Sequence, residues 1–375
     1  MSGPLAIVLF FVGLFLIVLI HEAGHYLAAR LFGFRVLEYF AGFGPRVWSF
    51  RRGEIEYGIK GIPAGGYVKI AGMNPLEDDV PPGDEDRAYF AKPIWQRALV
   101  ILAGPLSHFL VAAVIFATLY ATTGLGNPTQ LPTAIGEVAP RIAGAESPAA
   151  AAGLRAGDLI VRIGDIDDPR SDEIGSYMDR HRGEPITFMF ERDGETFERT
   201  LTPAIDEIDG EEVPRIGVLI GAQPVRRGVI DAIALGVGDL GRYTAESVSG
   251  IAQIFGPDGI GRMVDLLFTD EQRRPEDPSS LIGIGRQVGV AGEQGGWDDV
   301  LLIFGYVTLF IGVINLVPLP PLDGGHLALL VIERIRGRAV DLKKVIPVSA
   351  AVLVFLVTFV GAAVILDIAK PIPIP

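Results

Sequence analysis

The chain has 375 residues, 49% hydrophobic and 21% charged, with a formal net charge of −13. It contains no cysteine, which excludes disulfides, thiolate metal sites and cysteine nucleophiles. So apolar a composition points to a membrane protein, and no nucleic-acid partner is expected of it.

The first element is an apolar run from Pro4 to Ile20 that continues to about Arg30. It is long enough to cross a bilayer, which takes about 20 mostly apolar residues. It lacks a basic leading region and a small-residue cleavage site, so a removed signal peptide is not expected. At its far end stands His21-Glu22-Ala23-Gly24-His25. HExxH on a helix sets two imidazoles on one face, with a glutamate between them, the pattern for holding a zinc ion and activating its water. Ionisable residues are costly inside a bilayer and usually mark function there. Residues 1–33 are therefore read as a first membrane span carrying a zinc-binding motif.

The next segment, 34–96, reads as a membrane-associated β-region and linker on the cytoplasmic side. Arg46–Phe50 and Ile55–Ile59 flank a Gly53 turn as a hairpin, and Gly65–Ile70 forms a further strand. A sheet edge beside a zinc site is suited to binding an extended substrate by strand addition. The acidic stretch Asn74 to Arg87 reads as a flexible linker. A second span covers 97–123 and contains Gly104-Pro105-Leu106-Ser107-His108. A small module is expected over 130–222. Its Ser147-Pro148-Ala149-Ala150-Ala151-Ala152-Gly153-Leu154-Arg155-Ala156-Gly157-Asp158 resembles the signature of PDZ domains in bacterial proteases, and strands at Ile186–Arg192 and Thr196–Leu201 joined by Asp193-Gly194 fit that fold. Its alternative role is a spacer without peptide affinity.

Residues 223–299 read as an amphipathic, interfacial helix followed by a Gly-rich linker, because Asp231, Asp239, Arg242 and Glu246 interrupt the apolar pattern. A third span, 300–333, is broken by Pro and Gly between Asn315 and Gly325, and a fourth, 345–369, is uniformly apolar. Lys and Arg cluster between the first two spans and after the third. This bias sets both loops in the cytoplasm and the 130–222 module outside. A catalytic zinc usually has three protein ligands. Irregular backbone at membrane depth is tolerated where it lines an enclosed or wet cavity, so Asp323 in the broken span is the best third ligand, with His326 as its alternative. His181 reads as a surface residue of the module.

HExxH in the first span, GPxxH in the second, a PDZ-like module and Asn315-Leu316-Val317-Pro318-Leu319-Pro320-Pro321-Leu322-Asp323-Gly324-Gly325 together resemble the site-2 protease family of intramembrane zinc metalloproteases. The likeness is strongest to the bacterial, PDZ-containing group that cleaves anti-sigma factors. It implies an α-helical polytopic membrane protein of about four transmembrane helices, with a membrane-associated β-hairpin region and one inserted PDZ (α+β) domain. It further implies one Zn2+ held by His21, His25 and Asp323, Glu22 as general base, and Asn315 in substrate binding or transition-state support. Gly42, Gly44, Gly65, Gly66, Tyr67 and Val68 match that family's substrate-engaging loop. The implied substrates are single-span membrane proteins, such as anti-sigma factors already cut by a first protease, in the inner membrane. Two features depart from the pattern: one PDZ copy where some members carry two, and His108 where the family has asparagine, which makes it a candidate support for a zinc ligand. The competing readings are a catalytically silent client-binding protein, a zinc protease of another family that cuts soluble substrates, and a zinc transporter.

Overall fold

The structure, a computed structural model, describes residues 1–74, 79–124, 133–142, 144–208, 211–222, 227–274 and 277–372. Residues 75–78 of the expected linker, 130–132, 143 and 209–210 of the expected module, and 223–226 and 275–276 of the expected interfacial segment lie outside the described residues. The chain divides into two units: Met1–Ala117 with Ile233–Pro375, and Thr118–Ala232.

In the first unit α1 (Gly3–Leu31) begins with proline in its first turn, where the missing N–H costs nothing. It closes at Gly33, whose φ of +69° lets the following N–H groups turn back onto the last carbonyls of the helix. Two long strands follow, β1 (Val36–Arg52) and β2 (Ile55–Ile70). Both double back on themselves. Residues 38–41 have two neighbours: 66–69, running antiparallel, and 56–59, whose numbers rise in step with them. Residues 46–52 pair with 55–60 around the Gly53 turn, as the sequence predicts. The half-strand 66–70 is thus an outer edge of the sheet among the described residues. The bends fall at Gly42 and Gly44, with φ of +86° and +82°, and at Gly65, with φ of +136°. Side chains with a Cβ rarely adopt these conformations. Helix α2 (Ile94–Thr122) completes the first part of the unit and carries Pro105 in its interior.

The second unit holds strands β3 (Thr133–Val138), β4 (Arg141–Ile142) and β5 (Ala145–Glu146), helix α3 (Pro148–Ala151), β6 (Leu159–Ile163), β7 (Ile166–Asp167), helix α4 (Ser171–Arg180), then β8 (Ile186–Arg192), β9 (Glu195–Leu201), β10 (Ala204–Ile208), β11 (Glu211–Arg215) and β12 (Val218–Ala222). Its main sheet has the order β12-β3-β6-β8-β9, with β7 on β6. Ile160, Ile163, Ile174, Phe188 and Phe190 fill the core between sheet and helices. Ser147 caps α3 by accepting the Ala150 N–H at 3.1 Å. The β8–β9 turn is Asp193-Gly194, both at positive φ, as a two-residue hairpin turn requires.

The chain then returns to the first unit through α5 (Val229–Phe255), α6 (Pro257–Phe268) and α7 (Leu281–Gln294). The 256–296 stretch, read from sequence as a Gly-rich linker, is largely helical instead, in α6 and α7. Tyr243 of α5 is buried with Ala112 and Phe116 of α2 and with two residues of the next helix, Leu309 and Val313. That helix, α8 (Trp297–Asn315), leads through a turn to α9 (Asp323–Arg336) and α10 (Ile346–Ala369). The third span, read from sequence as one broken segment, is two helices, and only α8 is long and apolar enough to cross a membrane. Pro318, Pro320 and Pro321 supply no backbone N–H, so α8 cannot continue through them. Four helices meet the length and composition of a span among the described residues: α1, α2, α8 and α10. Their exposed faces are apolar, as in Leu5, Val8, Val12 and Leu16 of α1 and Leu353, Val354 and Val357 of α10.

Candidate active site

His21 and His25 lie one turn apart on α1, their ring centroids 4.7 Å from each other. Two glycines decide how near α2 can come. A Cβ built on Gly24 would collide with the Ala103 carbonyl, and one on Gly104 would strike the His25 ring and stand 2.9 Å from His21 Cε1. Both helices can touch through backbone only because neither position carries a side chain. Close approach brings the Val100 carbonyl to 2.8 Å from His25 Nδ1. It also brings His108, fully buried, to the other imidazole: His108 Nε2 is 3.1 Å from His21 Nδ1, and His108 Nδ1 is 3.1 Å from the Thr308 carbonyl on α8.

These contacts assign the tautomers. The Val100 carbonyl only accepts, so His25 Nδ1 donates to it and its Nε2 keeps a lone pair. The Thr308 carbonyl likewise takes the His108 Nδ1 proton, so His108 Nε2 accepts from His21 Nδ1, and His21 Nε2 keeps its lone pair. Those two lone pairs face each other at 3.1 Å. Asp323, the first residue of α9, adds Oδ2 at 3.2 Å from His21 Nε2 and 3.4 Å from His25 Nε2. That oxygen is buried and accepts no hydrogen bond. Three electron-pair donors crowded together without a proton among them call for a cation. The spacing between ligands of a tetrahedral zinc is about 3.3 Å. His21, His25 and Asp323 therefore fit a zinc ion, and they are the one such cluster among the described residues.

Asp323 reaches the pair because the 316–322 turn folds back onto the start of α9. Cβ atoms on Gly324 or Gly325 would meet the Leu316 carbonyl or the backbone of Pro320. Glu22, half-buried between the histidines, lies under the edge half-strand of β2. A Cβ on Gly66 of that strand would sit 3.3 Å from the Glu22 Cγ. A cavity of about 650 Å³ opens beside the site, walled by Tyr67, Val68, Pro320, Pro321, His326 and Ile346. His21, Glu22, His25 and Asp323 are thus gathered at one point, with His108, Gly66, Tyr67 and Val68 around it. Gly42, Gly44 and Gly65 are at the bends of the sheet, and Asn315 is the last residue of α8. His326 stands outside the cluster and lines the cavity. His181 belongs to the second unit, stacked on Tyr177. Sequence reasoning missed the carbonyls of Val100 and Thr308, which no side-chain pattern can reveal. It also missed the packing roles of Gly24 and Gly104, whose signal is two small residues in polar motifs of adjacent spans.

A carboxylate and two imidazoles converging on a cation, with a glutamate alongside and the whole borne on apolar helices, define a membrane metallohydrolase. The chain belongs to peptidase family M50, which it matches over residues 9–359, and is a zinc metalloprotease. It is 33% identical over 407 residues to the zinc metalloprotease Rip1 of Mycobacterium tuberculosis (strain ATCC 25618 / H37Rv), covering 98% of both chains. It is 32% identical to Rip1 of Mycolicibacterium smegmatis over the whole of both chains. To the zinc metalloprotease RasP of Geobacillus kaustophilus it is 30% identical, covering 88% of this chain and 89% of the relative.

Proposed function

We propose that the protein is an intramembrane endopeptidase that cuts single-span membrane proteins, such as anti-sigma factors already trimmed by a first protease, within or near the membrane. The observation that carries this reading is the location of the zinc cluster. Both histidines belong to a helix apolar enough to span a bilayer, and the aspartate begins the helix after a Pro-broken turn. Held by His21, His25 and Asp323, a zinc ion would supply Lewis-acid polarisation of a scissile carbonyl and a more acidic water. Glu22 would take a proton from the attacking water and deliver it to the leaving amine. His108 holds His21 in the tautomer that leaves Nε2 free, as partners of metal-bound histidines commonly do. A helical substrate hides its carbonyls in its own hydrogen bonds. The open edge at Gly66–Ile70 offers a replacement partner that holds an unwound strand beside Glu22. Asn315 supports the substrate or transition state from the α8 end of the turn.

In this reading the second unit is a PDZ-type domain on the outer side of the inner membrane, and the zinc site lies toward the cytoplasm. The Lys and Arg bias of the loops supports that orientation. The capped α3 followed by the Gly153 and Gly157 turns and β6 supports the domain type. The test is co-expression with tagged single-span membrane proteins, comparing wild type with Glu22→Gln. A fragment cut within the span in wild type alone is the expected result. Equal cleavage by both proteins would falsify the reading.

A further inference from the structure

We propose that the cavity at the Leu31 end of α1 binds the phosphate of an anionic phospholipid, whose acyl chains lie along α1. The cavity measures about 720 Å³ and is formed where the Gly53 turn folds over the helix end, lined by Tyr26, Arg30, Phe50, Arg52, Glu54 and Tyr57. Its charge is decided by what Glu54 already holds. The Glu54 oxygens accept Arg87 at 2.9 and 2.5 Å and are paired with Arg35 as well. Asp84 takes a second contact from each of these arginines, at 3.0 and 2.9 Å. Arg30 comes no nearer to Glu54 than 3.6 Å, and the Arg52 side chain makes no ion pair or hydrogen bond among the described residues. Four guanidiniums thus face two carboxylates, and the uncompensated charge rests on Arg30 and Arg52, at the cavity wall.

The other walls suit a head group. Tyr26 and Tyr57 hydroxyls are 2.7 Å apart; their shared hydrogen bond uses one proton and leaves the other for a phosphate oxygen. The rings of Phe50 and Tyr57 stack at 5.4 Å and close one side. Along α1 the lipid-facing stripe Ile20, Leu27 and Leu31 is exposed, the last two at 63% and 79%, and it leads to Arg30. Three features therefore coincide at one helix end: guanidiniums whose charge is uncompensated, an available hydroxyl proton and an apolar stripe on the same helix turns. A soluble anion uses the first two. A phospholipid uses all three, and the cytoplasmic leaflet, where the basic loops of this chain belong, is rich in anionic head groups.

The experiment is native mass spectrometry of the full-length protein released from nanodiscs of equal parts phosphatidylglycerol and phosphatidylcholine. Wild type is expected to retain phosphatidylglycerol selectively. Arg30→Gln with Arg52→Gln is expected to lower that retention about fivefold per arginine while leaving phosphatidylcholine unchanged. Arg51→Gln, beside Glu56 and away from the cavity, is expected to retain it like wild type. Zinc content in the same samples reports folding. If the double variant loses zinc, Arg52→Gln alone decides, since that side chain has no partner to lose. Undiminished phosphatidylglycerol retention in the variants, or an equal loss in Arg51→Gln, overturns the proposal. Binding of inorganic phosphate in detergent with no preference between the two lipids also overturns it.

Discussion

Glu22 and Asp323 are both acidic and both stand at the zinc site, yet their losses are expected to differ in kind. Asp323 Oδ2 faces the two Nε2 atoms directly, so Asp323→Ala should lower zinc content as well as cleavage. Glu22→Gln should keep close to one zinc per chain and lose proteolysis by about 10²–10⁴-fold, the usual worth of the general-base role proposed for it. Atomic absorption and a cleavage assay on the same preparations separate the two. His108 offers a finer comparison. Its loss in His108→Ala should weaken zinc binding by about 10–100-fold in a chelator competition. His108→Asn should recover part of that, because an amide also accepts from one side and donates to the other. The four central residues were legible in the sequence, since HExxH and a carboxylate in a proline break carry their chemistry in side chains. The tautomer of each histidine was not, because backbone carbonyls on α2 and α8 set it.

At the scale of elements, the α1–α2 contact constrains the site directly. Gly104→Ala inserts a methyl group against the His25 ring, and its displacement should weaken zinc binding. Gly24→Ala meets a carbonyl rather than a flexible side chain, and overpacking of that kind costs about 1–3 kcal/mol. Thermal unfolding in detergent, with zinc titration of the survivors, measures both. The doubled-back sheet was only partly legible: alternation and glycine turns marked the strands, but the pairing of 38–41 with two partners depends on bends that no local pattern specifies. In the second unit, Asp158 is buried under Arg192, which donates to its two oxygens at 2.5 and 2.7 Å. Burial pushes the Asp158 carboxyl up, but Arg192 and the Arg155 N–H outweigh it and hold it below the usual 3.8. Its stabilisation is therefore complete above the unfolded pKa of about 3.9 and is lost as pH falls through the lower folded value. Hydrogen exchange in β6 should rise below about pH 4 in wild type. Arg192→Gln should lose about 1–3 kcal/mol already at neutral pH and show a shallower acid dependence, and an unchanged exchange profile in that variant would count against the linkage.

Across the whole molecule, the site joins helices that have separate reasons to be where they are. Helix α9 is fixed at its far end: Arg97 of α2 grips Glu333 through two contacts of 2.6 and 3.1 Å, and Leu330 packs with Ala29, Val100 and Ile101. Its near end meets α1 through Asp323 and the two histidines. A cation at that point neutralises the crowded lone pairs and ties the turn at 316–322 to α1; without it, the same atoms repel one another. Metal removal should therefore act locally as well as globally. Stripping zinc with a chelator should lower the unfolding temperature, since a ligand that binds only the folded state stabilises it by mass action. Hydrogen exchange should rise in residues 316–326 while the Arg97-anchored stretch 327–336 stays protected. In Asp323→Ala the first segment should exchange fast with or without the chelator. A uniform rise over the whole of α9 in wild type would instead mean that zinc holds the helix itself, and that the Arg97–Glu333 pair follows from the metal site rather than standing independently of it.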